Sequence, residues 1–226
     1  MIRRNNSEEA GARSDGLMIV SVLFIAAFTF IAFTTNPVYT GIDVGDRVPE
    51  LKGKMTTDGE TWVDFDLADY YDEMWSEGDE GTWTMIEFMD TNCGACRNAG
   101  PDIRDMESMW TGDNPQRSIA ENITVEFVAI SISLWTEDTP GKSYGRGEII
   151  SFKDEFSHSF GYVDLQDNSH QAEWGNFGTP TYFLVNPNGI IEFATPSAER
   201  GYSIWDAMQE KICLLYTSDA ADEWLR

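Results

Sequence analysis

The chain has 226 residues, of which 42% are apolar and 13% aromatic, and its formal net charge is −24. This composition supports a packed core and disfavours global disorder, and the length suits one domain with appendages. The acidic surface repels phosphate and no basic stripe offsets it, so nucleic acid is excluded as a partner.

An uncharged, mostly apolar run extends from Leu17 to Thr35 near the beginning of the chain. A helix of this length spans roughly 28 Å, which is close to the hydrocarbon thickness of a bilayer. Residues 17–35 are therefore predicted to be a transmembrane anchor. Three arginines precede the run, which predicts a cytoplasmic stub at 1–16. The domain at 36–212 is then expected outside the cell membrane, where disulfides persist.

Downstream of this run, apolar periodicity and turn residues predict alternating strands and helices. A Gly- and Pro-containing segment at 41–53 is expected to be extended, and 134–176 has no clear register. Buried strands are predicted at 83–90 and 123–133, helices at 95–110, 146–157 and 201–212, and a hairpin at 181–194. This order is typical of an α/β sandwich.

Two of the three cysteines, Cys93 and Cys96, lie at the end of the first long strand and are separated by Gly94–Ala95. A helix that starts at the second cysteine places the Cys93 sulfur at the helix N-terminus, where unpaired N–H groups favour the thiolate. Cys93 is thus the predicted nucleophile, exposed at the turn, and Cys96 the inward-facing resolving thiol. Attack of Cys93 on a disulfide gives a mixed disulfide that Cys96 displaces.

Two other roles for this cysteine pair are less favoured. A structural zinc site usually needs four ligands, but the chain has no second CxxC pair. His158 and His170 are twelve residues apart, outside the usual zinc-finger spacing, and both are expected on the surface. An inert disulfide across so short a loop would contribute little stability.

Three segments carry a resemblance to a known family: "IEFMDTNCGACRNAGP", "GTPTYFLVNPNGII" and the lead-in "VGDRVPELKG". Together they resemble the thioredoxin superfamily, and more closely its membrane-anchored, extracytoplasmic TlpA/ResA/DsbE-like group. The resemblance covers roughly 41–212. It implies a thioredoxin-like fold, with a central mixed β-sheet flanked by helices.

The resemblance also implies how a substrate is held. A cis peptide bond between Thr179 and Pro180 would turn backbone groups toward the cysteines, where a substrate chain adds as a short strand. The turn residues Asn92, Gly94 and Ala95 are further predicted substrate contacts. The chain departs from the family here, because Asn92 replaces a common tryptophan and the Gly94–Ala95 dipeptide lacks a proline.

Glu87 lies six residues before Cys93, where many thioredoxins have a buried acid below the resolving cysteine. The resemblance therefore implies a desolvated carboxyl group with a raised pKa, which accepts the proton of Cys96. Alternation along the strand leaves another orientation open, in which Glu87 points into solvent.

These features predict a thiol–disulfide oxidoreductase with the Cys93–Cys96 disulfide as its redox centre, with no metal and no other cofactor. By resemblance, its substrates are protein disulfides, for example in cytochrome c maturation. Its electrons would come from a membrane-embedded donor. Two alternatives stay open, a copper-binding module that uses the same thiols and a thiol peroxidase.

The end of the chain is predicted to be non-native. Residues 213–223, from Cys213 to Glu223, resemble a translated sequencing adapter. Residues 213–226 are therefore set apart from the predicted domain.

Overall fold

The computed structural model describes residues 7–34, 38–111, 117 and 119–213. Its contacts divide the chain into two units, Met1–Val38 and Tyr39–Arg226. The predicted tail lies outside the described residues except for Cys213, as do residues 1–6 of the predicted stub.

The first unit contains helix α1, Ser7–Thr34. Its side chains from residue 16 to residue 30 are exposed. In the part of the chain that the structure describes, no helix is long and apolar enough to cross a membrane. The prediction of a transmembrane anchor at 17–35 is therefore not supported by the structure.

The second unit is a mixed β-sheet with helices. The described strands are β1 Lys52–Thr56, β2 Val63–Asp66, β3 Gly81–Met89, β4 Ile123–Ser131, β5 Gly161–Asp164, β6 Thr181–Val185 and β7 Ile191–Ala194. The described α-helices of this unit are α2 Gly94–Trp110, α3 Arg146–Phe156, α4 Gln171–Trp174 and α5 Ile204–Cys213, with short 3₁₀ turns at Leu67–Tyr70 and Thr195–Ser197.

The strands are arranged in the order β2-β1-β5-β4-β3-β6-β7. β3, β4 and β5 are mutually parallel, and the pairs that flank them are antiparallel. The prediction of an α/β fold with a central mixed sheet is confirmed. The sheet places the carboxyl end of β3, a central strand, beside the start of α2.

β3 is buried on both faces from its third residue to its end, which explains why apolar side chains occupy both faces of the strand. Met85 and Met89 pack in one core cluster together with Cys96. Ile86 and Phe88 pack in a second cluster. Because side chains alternate along a strand, Glu87 lies on the same face as Met85 and Met89. The carboxyl group thus points into the layer that contains the cysteine pair.

Candidate active site

The cysteine pair lies where β3 ends and α2 begins. Cys93 is the N-cap of α2, with extended backbone angles of φ −82° and ψ 119°. Its N–H donates to the Asp90 carbonyl at 2.9 Å, which closes the turn after the strand. Its sulfur accepts the N–H of Cys96 at 3.3 Å. The sulfur therefore caps the helix, because it accepts a hydrogen bond from an N–H of the first turn that has no partner within the helix.

The loop before β6 packs against Cys93. The Cys93 thiol donates to the Thr179 carbonyl at 3.3 Å. Cys93 is only 6% exposed, so the prediction of an exposed cysteine at the turn is wrong. The close approach of this loop accounts for the difference. Burial raises the pKa of Cys93, but hydrogen bonds from Cys96 and from the Ala95 backbone outweigh it, so the pKa is lowered overall.

Cys96 lies below Cys93 and is fully buried. Both cysteines are free thiols. Burial and the hydrogen bond with Cys93 raise the pKa of Cys96 well above its usual range. The two pKa values move in opposite directions, so the outer sulfur is the easier one to ionise.

The peptide bond between Thr179 and Pro180 is cis, as predicted. Both residues are half-buried. Thr181 donates its hydroxyl to the Gly178 carbonyl at 2.6 Å, which closes the loop. The Thr179 hydroxyl is buried and has no hydrogen-bond partner among the described residues. The loop therefore brings the Thr179 carbonyl to Cys93 and leaves the Thr179 side chain unpaired.

Glu87 is 1% exposed and lies in the middle of β3. The alternative orientation into solvent is therefore wrong. Neither carboxylate oxygen has a hydrogen-bond partner among the described residues. Burial raises the pKa of Glu87 to about 8, and the neighbouring Tyr182 hydroxyl opposes part of the rise. The charge of Glu87 contributes in turn to the raised pKa of Cys96.

The remaining predicted turn residues differ in whether they can contact a substrate. The Asn92 side chain donates to the Ser143 carbonyl at 2.9 Å and accepts the Ser143 N–H at 3.2 Å. Its amide is thus already paired, and a role in substrate binding stays a prediction. Gly94 and Ala95 are exposed beside the cysteines. Nothing lies within 4 Å of the position that a Cβ on Gly94 would occupy, so the turn is open on that side.

One residue of the site was not predicted. Asp90 directly follows β3 and is 0% exposed. Its carboxylate accepts hydrogen bonds from the Asn92 N–H at 2.6 Å, the Leu134 N–H at 2.7 Å and the Tyr144 hydroxyl at 2.9 Å. The available signal was a carboxylate at the carboxyl end of a buried strand, next to the CxxC motif.

Both histidines are 4% exposed, so their predicted surface position is wrong. His158 contacts the Tyr162 hydroxyl at 2.6 Å and the Gly100 carbonyl at 2.8 Å. His170 packs against Phe88 with 5.6 Å between ring centroids. In the described part of the chain, no three His, Cys, Asp or Glu side chains converge as a metal site. Among those described residues, no third side chain of these types joins the two thiols for a bound copper ion.

Several solved structures are similar to this chain. The thioredoxin domain of a thiol–disulfide oxidoreductase from Bacteroides vulgatus is 15% identical, with a TM-score of 0.52, covering 76% of this chain and 99% of that one. A protein assigned as thiol:disulfide interchange protein DsbE from Chlorobium tepidum is 18% identical, with a TM-score of 0.51, covering 78% and 98%. A protein assigned as a protein disulfide isomerase from Bacteroides thetaiotaomicron is 14% identical, with a TM-score of 0.52, covering 78% and 95%.

No protein family matches the chain by its sequence, and no curated protein matches it. The structural similarity nevertheless covers more than three quarters of the chain in each of the three cases. The chain therefore has a thioredoxin-like fold, with a CxxC pair after the carboxyl end of β3.

Proposed function

We propose that the chain is a thiol–disulfide oxidoreductase in which Cys93 is the nucleophile and Cys96 the resolving thiol. One observation carries the proposal. The Cys93 sulfur caps α2 at 3.3 Å from the Cys96 N–H, with the second thiol buried below it. Thiolates stabilised in this way at helix N-termini are the reactive sulfurs of disulfide exchange.

The first step is attack of the Cys93 thiolate on one sulfur of a substrate disulfide. A new S–S bond forms between Cys93 and that sulfur, and the other substrate sulfur leaves as a thiolate. The lowered pKa of Cys93 increases the fraction of the attacking thiolate. Because Cys93 is nearly buried, the substrate must enter beside the loop that contains Thr179 and Pro180.

In the second step, Cys96 attacks the Cys93 sulfur of the mixed disulfide. The substrate sulfur that was bonded to Cys93 leaves as a thiolate, and Cys93 and Cys96 form a disulfide. Cys96 must first lose its proton, which its raised pKa opposes. Glu87 is the proposed acceptor because it lies on the face of β3 that packs with Cys96 and because its pKa of about 8 is near neutral pH, where a general base is most effective.

The proposed substrates are protein disulfides. The three structural neighbours that are named for disulfide chemistry support this substrate class. The free Thr179 hydroxyl and the exposed Gly94 and Ala95 border the sulfur that a substrate must reach. Net reduction of a substrate consumes the two thiols, so we also propose a dithiol donor protein, embedded in the membrane, that restores them.

The proposed working location is extracytoplasmic. Structural disulfides of client proteins form and persist there, and the uncharged run from Leu17 to Thr35 would hold the chain at the membrane. Alkaline carbonate extraction tests the membrane attachment with the full chain and with a variant that lacks residues 1–35, and protease added to intact spheroplasts tests the side of the membrane. Retention of the full chain, release of the shortened chain and digestion of the domain by the added protease support the location, whereas release of both chains or protection of the domain contradicts it.

Insulin reduction with dithiothreitol as the electron source tests the function. The wild-type chain should accelerate turnover, and Cys93→Ser should abolish the acceleration. Cys96→Ser should accumulate the mixed disulfide, whereas Cys213→Ser should behave as wild type and serves as the control. A wild-type rate no faster than dithiothreitol alone would disprove the function. Full activity of Cys93→Ser would disprove the assignment of the nucleophile.

A further inference from the structure

A buried carboxylate joins two loops at the site. The β4–α3 loop, residues 132–145, follows β4 and runs beside the turn that contains Cys93. The Asp90 carboxylate accepts the Leu134 N–H and the Tyr144 hydroxyl from that loop, and the Asn92 N–H from the turn. All three partners are donors, which matches an ionised carboxylate because it has only acceptor sites.

Further contacts connect the same two loops. The Asn92 side chain makes two hydrogen bonds with the Ser143 backbone. Lys142 donates to the Asn92 carbonyl at 3.3 Å and lies 3.7 Å from the centre of a Trp135 ring. The Tyr144 hydroxyl accepts the Trp135 N–H at 3.0 Å while it donates to the carboxylate. The β4–α3 loop thus holds Asn92 through both its backbone and its side chain.

We propose that Asp90 is a positioning residue for the Cys93 sulfur and that Tyr144 fixes the Asp90 carboxylate. The inference rests on the oxidoreductase function proposed above. Cys93 directly follows the residue whose N–H Asp90 binds, and its own N–H donates to the Asp90 carbonyl at 2.9 Å. The sulfur needs this backbone position to stay 3.3 Å from both the Cys96 N–H and the Thr179 carbonyl.

Asp90→Asn tests the proposal with almost no change in volume. One carboxylate oxygen binds the Asn92 N–H, and the other binds Leu134 and Tyr144. Whichever way an amide faces, its NH₂ group opposes a backbone N–H, and one buried donor loses its acceptor. The turn can then relax, and the Cys93 sulfur loses part of its contact with the helix N-terminus.

The measurement is the pH dependence of iodoacetamide alkylation at Cys93 in the reduced full chain, located by mass spectrometry. In Asp90→Asn we expect a higher midpoint and a rate at pH 7 that is about fivefold lower, the effect of losing one hydrogen bond of average strength. Tyr144→Phe should shift the midpoint in the same direction by less. Ser133→Ala is the control. Ser133 also lies in the β4–α3 loop, but its hydroxyl donates to the Gln166 carbonyl at 2.8 Å and not to Asp90.

The outcomes separate the two proposals. A folded Asp90→Asn chain with a wild-type midpoint would overturn the positioning role. If Asp90→Asn does not fold, a wild-type midpoint in Tyr144→Phe overturns it instead. An equal shift in Ser133→Ala also overturns it, because any loosening of the loop would then suffice. A shift of the midpoint in Asp90→Asn and Tyr144→Phe, but not in Ser133→Ala, supports the positioning role. Insulin turnover by the wild-type chain is a separate measurement, and its absence would refute the oxidoreductase function without changing that result.

Discussion

Glu87 on β3 lies directly opposite Tyr182 on β6 in the antiparallel pair. Such partners have Cβ atoms about 4.5–5.5 Å apart, so the two side chains share one environment. The Tyr182 hydroxyl lowers the pKa of Glu87 only in part, and burial still raises that pKa to about 8. The charge of Glu87 also contributes to the raised pKa of Tyr182, behind burial as the main cause. A buried acid is thus held beside the dithiol without a cation or a bonded donor among the described residues.

The raised pKa of Glu87 makes folding pH-dependent. In the unfolded chain this carboxyl ionises near 4.5, whereas in the folded chain it ionises near 8. Its contribution to stability is therefore complete below the unfolded pKa and is lost as the pH rises through the folded pKa. Glu87→Gln removes this loss, and we expect it to raise the free energy of unfolding by about 3 kcal/mol at pH 7 and hardly at all at pH 4.

Urea unfolding of Glu87→Gln and wild type at pH 4, 7 and 9 measures this difference. A stability gain of equal size at pH 4 and pH 9 would contradict the raised pKa, because an amide would then stabilise the core by packing alone. A loss of stability at pH 9 would contradict it as well.

The raised pKa of the Glu87 carboxyl also predicts how the rate of the resolving step depends on pH. The fraction of Glu87 present as carboxylate rises through pH 8, so release of substrate from the mixed disulfide should accelerate over that range. Tyr182→Phe removes the hydroxyl that lowers this pKa and should move the midpoint to higher pH. Glu87→Gln should lose the rise.

Stopped-flow measurement of mixed-disulfide decay gives these profiles, and the rate of formation of the mixed disulfide is the internal control. That rate depends on Cys93 and should keep its own pH dependence in Glu87→Gln. An unchanged decay profile in Glu87→Gln would assign the proton to another acceptor.

The sequence was sufficient for the central strands, the long helices and the cis loop, because each has a strong local signal. β3 and β4 are rich in apolar, aromatic and β-branched residues, and the helix after Cys93 has clear apolar periodicity. β1 was missed because its Lys-Gly-Lys-Met-Thr sequence has weak strand propensity and gains its order from pairing with β2 and β5. β5 and α4, each of four residues, are too short for a periodic pattern.

The site was predictable in its residues but less so in its contacts. Cys93 and Cys96 follow from their spacing at the end of a predicted strand, and Glu87 follows from the resemblance to thioredoxins. The burial of Cys93 and the hydrogen bonds of Asp90 depend on loops that are 44 or more residues away in the chain. A single sequence contains no local signal for such long-range contacts, so the exposure of Cys93 was predicted wrongly.

Gly100 in α2 offers a test of the packing between helices. A Cβ at this position would lie 2.6 Å from the ring of Phe156. The distance is this short because α3, which ends at Phe156, packs closely on α2. Gly100→Ala should therefore destabilise the fold by about 1–3 kcal/mol, despite the better helix propensity of alanine. Gly147→Ala in α3 meets no atom within 4 Å and should stabilise by up to about 1 kcal/mol. Thermal unfolding of both variants decides, and equal effects would contradict the close contact.

The three cysteines should differ sharply in reactivity. The pKa of Cys93 is lowered by its hydrogen bonds despite burial, whereas burial raises the pKa of Cys96 and of Cys213. Because the thiolate is the reactive form, a reduced chain at pH 7 should be alkylated first at Cys93, by about tenfold or more over either other thiol. Brief iodoacetamide treatment and tandem mass spectrometry locate the label. Cys213, half-buried on α5, is the matched comparison, and equal labelling of Cys93 and Cys213 would mean that the helix N-terminus does not activate the leading sulfur.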